Sequence, residues 1–289
     1  MTSSSEACDG AQFVVQGVRM RHALADRTNG VNPAALGWVR STLHMGDDGS
    51  VLIDMVTVPP TGPAFETIID RRTGHSWSVE VDPFLIAATP VTVETWAKVY
   101  GQTLPDLDPS LPKVDVTWRE AVLFCNALSE VEGLTAAYTV TEQQARSATG
   151  WRPHDEPEPD SWHVEWNRAA DGYRLPTEAE WQVACRAGTT GPHYGNLADI
   201  AWYEATTETG PRPVAQKKPN AWGLYDTLGG VWEWCWDLYD EAVYGPYRVI
   251  RGGGWSDPHW SCRAGVRRKT NPQACFDDLG FRLARSQRG

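Results

Sequence analysis

Residues able to do chemistry gather in one stretch near the end of the chain, RGGGWSDPHWSCRAGVRR (251–268). His259 stands two residues from Asp257 and is flanked by Trp255 and Trp260. An imidazole beside a carboxylate can serve as a general base or a metal ligand, because its charge changes near neutral pH. The competing reading is a histidine hydrogen-bonded at the rim of a cleft. The indoles of Trp255 and Trp260 would suit a peptide, a sugar or a flat ligand. Arg263 and Arg267 offer guanidinium forks to the same ligand, or could serve as structural ties. His154, His163 and His193 are too scattered to form a motif. Six cysteines, at 8, 125, 185, 235, 262 and 275, lack the CxxC spacing of a zinc site or redox pair. Cys125, Cys185 and Cys235 sit among apolar residues and read as small buried hydrophobes.

The elements that must position these groups are unusual. The chain holds 15 Trp, 26 Gly and 20 Pro among 289 residues. Large flat side chains can fill a core without long helices while Gly and Pro fix turns, so irregular backbone packed on aromatic surfaces is expected. Val51–Val58 reads as a strand stopped by Pro59-Pro60, and Trp77–Ile86 as a half-buried strand interrupted near Pro83. Three helices start at side-chain caps: Thr92, running to Tyr100; Thr117, in a capping box with Glu120; and Thr177, in a second box with Glu180, ended by Gly188. Gln144–Arg168, with its acidic HDEPEPD run (154–160), reads as an exposed loop. From Trp202 onward no helical period appears.

A net charge of −11 and a pI of about 5.1, with no basic stripe, argue against phosphate recognition, so nucleic acid and anionic membrane are not expected partners. The first residues, MTSSSEACDGAQF, lack a signal-peptide pattern, and no run of about 18 apolar residues occurs. A cytoplasmic location is the expectation, and with it no disulfide, Cys262–Cys275 included. The organisation expected is one domain over 51–289, with residues 1–50 loosely attached or packed on it.

Five segments, in order, resemble motifs of the formylglycine-generating-enzyme (sulfatase-modifying-factor) superfamily. They are ATPVTVETWAKVY (88–100), VTWREAVLFCNALSEVEGLTAAYTV (116–140), GYRLPTEAEWQVACRAG (172–188), NAWGLYDTLGGVWEWCWD (220–237) and the tail from 248 to 285. The resemblance implies an α+β fold of the C-type-lectin-like kind, with a small twisted antiparallel sheet and few helices. It also implies a structural calcium held by Asp226, the carbonyl oxygens of Gly229 and Val231, and Glu233. Hard oxygens suit that ion, and Gly229-Gly230 permits a tight curve that points carbonyls inward. Where relatives commonly have Asn, this chain has Gly230. Pairing of Glu233 with an arginine, with no metal, is the competing reading.

Formylglycine formation in the family requires two cysteines after the GG sequence, which bind copper(I) as thiolates. Aligned from Gly252-Gly253, this chain has Asp257 at the first position and Cys262 at the second, so that oxidation is not expected. His259 falls between the two positions. Of the other branches, the iron-dependent one needs a helical domain and HxxxHxE motif that are missing here. The pyoverdine-maturation branch, which tailors a peptide siderophore, is similar in size and also lacks the cysteine pair. Two functions follow. One is an oxidative or metal-assisted tailoring enzyme acting on a peptide or small metabolite through His259 and Asp257, its redox ion, copper or iron, not identifiable. The other is a non-catalytic, lectin-like binding module for a ligand or a protein.

Overall fold

The computed structural model describes residues 40–43, 53–58, 65–70, 73–104, 106–142, 162–207 and 209–287. In chain order the elements are β1 (Arg40–Leu43), β2 (Ile53–Val58), β3 (Phe65–Ile69), β4 (Ser76–Glu80), β5 (Phe84–Ala87), α1 (Val93–Val99) and α2 (Trp118–Val131). There follow β6 (Tyr138–Glu142), β7 (Trp162–Trp166), β8 (Tyr173–Arg174), α3 (Glu178–Arg186) and α4 (Leu197–Ile200). The rest are β9 (Trp232–Leu238), α5 (Glu241–Tyr244), β10 (Arg248–Arg251), β11 (Arg267–Thr270), β12 (Leu279–Gly280) and β13 (Ala284–Ser286).

Helix starts follow the caps. Thr92 accepts the Thr95 N–H, and Thr117 and Thr177 form complete capping boxes with Glu120 and Glu180. On α2 the buried face holds Ala121, Phe124, Cys125 and Leu128, the helical spacing expected of an amphipathic segment. Helix α3 is buried along nearly its whole length, from Glu178 to Cys185, so it threads the core. It ends at Ala187 in the left-handed conformation, with Gly188 next in the chain.

The strands form a five-stranded antiparallel sheet, β1-β2-β5-β13-β8, and a four-stranded sheet, β11-β10-β9-β12. In the second sheet β12 runs parallel to β9 while the other pairs are antiparallel. Two hairpins, β3–β4 and β6–β7, stand apart. Few helices and small sheets give the mixed α+β architecture expected. The single interrupted strand expected over 77–86 is instead two strands in different sheets, because Pro83 has no N–H to continue a ladder. The loop expected over 144–168 is corrected in part: Trp162–Trp166 is a strand whose side chains alternate between half-buried and exposed against β6. The acidic HDEPEPD run and most of residues 1–50 lie outside the described residues.

Tryptophan fills the core as the composition implied. Trp118, Trp181 and Trp234 are at most 1 % exposed. Each indole N–H still finds an acceptor: the Cys235 carbonyl at 3.0 Å, the Glu233 carboxylate at 2.7 Å and the Val116 carbonyl at 2.8 Å. Burying the rings without those acceptors would leave three donors unpaired, each at a cost of about 1–3 kcal/mol. Cys125, Cys185, Cys235 and Cys262 are free and buried, whereas Cys275 is disulfide-bonded, contrary to the expectation of thiols throughout. Among the described residues no helix is long and apolar enough to cross a membrane.

Candidate functional site

The loop after β10 turns on two glycines where any added Cβ would force a neighbour to shift. A Cβ on Gly253, whose φ is +91°, would lie 2.8 Å from the Cys262 Sγ, and one on Gly254 would lie 2.1 Å from the Asp278 Oδ2. The loop is thereby pressed between Cys262 on one side and the segment before β12 on the other. Asp257 fixes its curve. Its Oδ2 accepts the Trp232 indole N–H at 2.6 Å and the Gly254 N–H at 2.9 Å, and its Oδ1 faces the Arg268 Nη1 at 3.3 Å. Arg268 also donates to the Ser261 hydroxyl at 2.8 Å and lies 5.5 Å from the Trp260 ring, which is 50 % exposed.

Charge in this loop is crowded and partly desolvated. Burial, then the neighbouring Asp257 and Asp277, pushes the Asp278 carboxyl up to about 6. Burial, then Asp257, pushes the Cys262 thiol up to about 12 although Arg268 opposes this. His259 is exposed, and no hydrogen bond joins it to Asp257. The structure brings His193 close enough to feel both Arg263 and His259, and these, after burial, hold its pKa below the ordinary imidazole value. The loop carrying His193 is tied there by the Ala264 N–H, which donates to the Pro192 carbonyl at 2.8 Å. Trp255 is half-buried, and its indole nitrogen, like the Nε of Arg263 and the Nε2 of His193, is buried without a hydrogen-bond partner.

Arg267 does not join this loop. Its Nε and Nη2 donate to the two Glu178 oxygens at 2.8 and 2.9 Å, and it lies 4.1 Å from the Tyr239 ring. Its neighbour Arg268 takes the place expected of it, because successive side chains on a strand point to opposite faces. Period-two alternation through RRKT could have separated the two arginines. Nothing in sequence spacing could have paired Asp257 with Trp232 or set Asp278 against Gly254.

The oxygens expected to hold calcium are differently employed. Glu233 is fully buried and takes Arg282 across both oxygens, Nη2 to Oε1 at 2.6 Å and Nε to Oε2 at 2.6 Å, while Trp181 donates to Oε2. The Gly229 carbonyl accepts the Val231 N–H, and the Asp226 Oδ2 accepts the Ala215 N–H at 2.7 Å. A calcium ion wants about six to eight free oxygens, and here its one glutamate already neutralises a guanidinium. Of the two readings, the pairing of Glu233 with an arginine is the arrangement found in this structure.

A test follows from Asp226, whose carboxyl burial pushes up to about 6 from 3.8, against the lowering by Ala215 and Arg282. A raised folded-state value means stability present below pH 3.8 and lost as the pH rises through about 6. Asp226→Asn is accordingly expected to melt above the wild type at pH 7.5, with calcium chloride and EDTA giving the same midpoint for both proteins. A calcium-induced rise in Tm that disappears in Asp226→Asn would restore the ion.

With this geometry in place, comparison with known proteins is decisive about ancestry. The sulfatase-modifying factor enzyme 1-like domain matches residues 47–287. The chain belongs to this family. Its relatives include the chaperone protein LppX of Paenibacillus barcinonensis, 30 % identical over 81 % of this chain and 90 % of that protein. The formylglycine-generating enzyme of Streptomyces coelicolor is 34 % identical over 42 % of this chain, and the match spans about half, 51 %, of that enzyme. Among solved structures, Treponema denticola variable protein 1 superposes with a TM-score of 0.71 at 31 % identity, covering 86 % of this chain and 99 % of that one. PvdO from Pseudomonas aeruginosa shares the fold, with a TM-score of 0.59 at 22 % identity over 82 % of this chain and 95 % of its own. The sulfatase-modifying-factor fold expected from the five motifs is thus established. Calcium binding is a property of the family, and among this chain's described residues no group of three or more His, Cys, Asp or Glu is placed to hold a metal ion.

Proposed function

We propose that this chain is a non-oxidase, ligand-binding member of the sulfatase-modifying-factor family, presenting the 254–263 loop as its recognition surface. One observation carries the reading. At the position of the family's first catalytic cysteine stands Asp257, with its oxygens committed to Trp232, Gly254 and Arg268. A carboxylate so engaged is a structural tie and is not free to relay protons for His259 or to replace a soft thiolate. What the tie leaves outward is Trp260, half exposed with Arg268 beside it, and the exposed His259. Aromatic and guanidinium groups on a rigid loop are the residue types that dominate binding hot spots, and the ligand class they suit is a peptide. The chaperone name of the LppX relative accords with binding without chemistry.

The tailoring-enzyme reading requires a redox metal or an activated pair, and it is the alternative that the experiment must be able to rescue. Protein purified without chelators is expected to carry no stoichiometric copper or iron and, with copper(I), a thiol reductant and a cysteine-containing peptide, to consume no more oxygen than the same mixture without protein. Peptides selected from a random display library on the folded chain are expected to lose binding to Trp260→Ala. Stoichiometric copper or iron that is lost in His259→Ala, or selected peptides that bind Trp260→Ala unchanged, would overturn the proposal.

A further inference from the structure

Between β10 and β13 the arginines are spent on partners, with one exception among the described residues. Arg251 and Arg267 face the Glu178 carboxylate at 3.6 and 2.8 Å, Arg268 faces Asp257 at 3.3 Å, and Arg282 takes Glu233 at 2.6 Å. Arg248 and Arg285 donate instead to the carbonyls of Trp236 at 2.6 Å and Asp171 at 2.9 Å. Arg263 has no carboxylate within ion-pair distance and no acceptor for its guanidinium among the described residues, and its Nε is buried without a partner. The structural tie expected as one role for Arg263 is therefore not what the fold makes of it.

The exception sits where two loops meet. The Ala264 N–H donates to the Pro192 carbonyl at 2.8 Å, which sets Arg263 beside the segment of His193. The His193 Nε2 is also buried without a partner, and the charges of Arg263 and His259 both act on its ring, after burial, to disfavour the protonated form. Gly253 packs on Cys262, so Trp255 and Arg263 leave the chain close to one contact, and the Trp255 indole nitrogen is a third buried polar atom without a partner. Buried polar atoms in native folds are nearly always paired, so three around one loop mark a surface that a polar ligand completes. The nearby acids do not serve. Asp257 is committed to Trp232, Gly254 and Arg268, Asp278 lies against Gly254, and the exposed Glu204 makes no ion pair with Arg263.

We propose that Arg263 anchors a carboxylate, either the C-terminus of a peptide or an Asp or Glu side chain within it, with His193 beside the anchor and the loop's indoles against the adjoining residue. This site rests on the role of 254–263 as a ligand-binding surface and adds the chemistry that the surface selects. A carboxylate offers two oxygens to a planar fork, in parallel charge-assisted bonds, and brings the negative charge that Arg263, His193 and His259 lack. The chain's net charge of −11 repels an anion at long range, so recognition depends on contact with the fork and not on steering.

Calorimetric titration of the full chain tests the anchor with three probes. N-acetyl-phenylalanine ends in a carboxylate, N-acetyl-glutamyl-phenylalaninamide carries one on a side chain, and N-acetyl-phenylalaninamide is the neutral counterpart. Saturable binding of at least one acid is expected, at least about tenfold tighter than the amide, and the acid that binds tells a C-terminus from an acidic residue. Arg263→Gln is expected to abolish the preference, Arg263→Lys to keep only part of it, and His193→Gln to weaken the acid severalfold. Near-UV circular dichroism checks that Arg263→Gln is folded; should it not be, Arg263→Lys and His193→Gln decide. The anchor and the surface fail separately. Display-selected peptides that need Trp260 but bind Arg263→Gln unchanged would sink the anchor and leave the surface, whereas acid binding that depends on Arg263 would stand even with Trp260→Ala silent. Equal binding of acid and amide, no acid binding, or a wild-type preference in folded Arg263→Gln would overturn the proposal.

Discussion

Replacing Arg282 by methionine is expected to cost about 3–5 kcal/mol of stability, the penalty for removing one partner of a fully buried ion pair. Arg282 and Glu233 are both 0 % exposed, so water cannot take over the abandoned carboxylate. The guanidinium does more than balance charge: it donates to the carbonyls of Ala87 at 3.0 Å and Tyr225 at 3.0 Å. It thereby joins the end of β5, the turn before β9 and β9 itself. In urea melts the midpoint should fall with an unchanged slope, and Tm should drop by on the order of 10 °C. Adding Glu233→Gln to Arg282→Met should recover part of the loss by removing the orphaned charge, but not all, because the carbonyls stay unpaired. Should Arg282→Met not fold, Arg282→Lys supplies the reading: a point charge cannot replace a fork that serves several acceptors, so the loss should persist. A cost below about 1 kcal/mol, the value of a surface pair, would mean that Glu233 is solvated or otherwise neutralised.

Cys262 is expected to react with iodoacetamide at pH 8 about a thousandfold more slowly than an unperturbed thiol. The thiolate is the nucleophile, and burial with Asp257 alongside pushes this thiol up to about 12. At pH 8 its ionised fraction is then about one in ten thousand, before restricted access slows it further. The consequence reaches beyond labelling. Copper(I) needs thiolate ligands, and one thiol this reluctant to ionise, with a carboxylate where its partner would stand, gives the metal little to hold. Peptide mass spectrometry over a labelling time course measures the rate, and competition with bicinchoninate measures the copper affinity. Rapid alkylation of Cys262, or copper(I) retained against that chelator, would reopen the oxidase chemistry.

The sequence by itself determined the family and the helix starts. Thr117 and Thr177 announce α2 and α3 because a capping box is a local arrangement, complete within four residues. The substitution of Asp257 for a thiolate is likewise legible, since alignment to the glycines needs no coordinates. Tertiary structure alone decided what each charge does. Glu233 became the counter-ion of Arg282, 49 residues away. Arg267 and Arg268, adjacent in the chain, were sent to different sites by strand alternation. Asp237 and Trp77 lie 160 positions apart and share a cavity that no spacing could disclose. Local hydrogen bonds are written in neighbouring residues; the pairing of buried charges depends on which distant segment the fold sets beside each one, in a medium where an unmatched charge is costly.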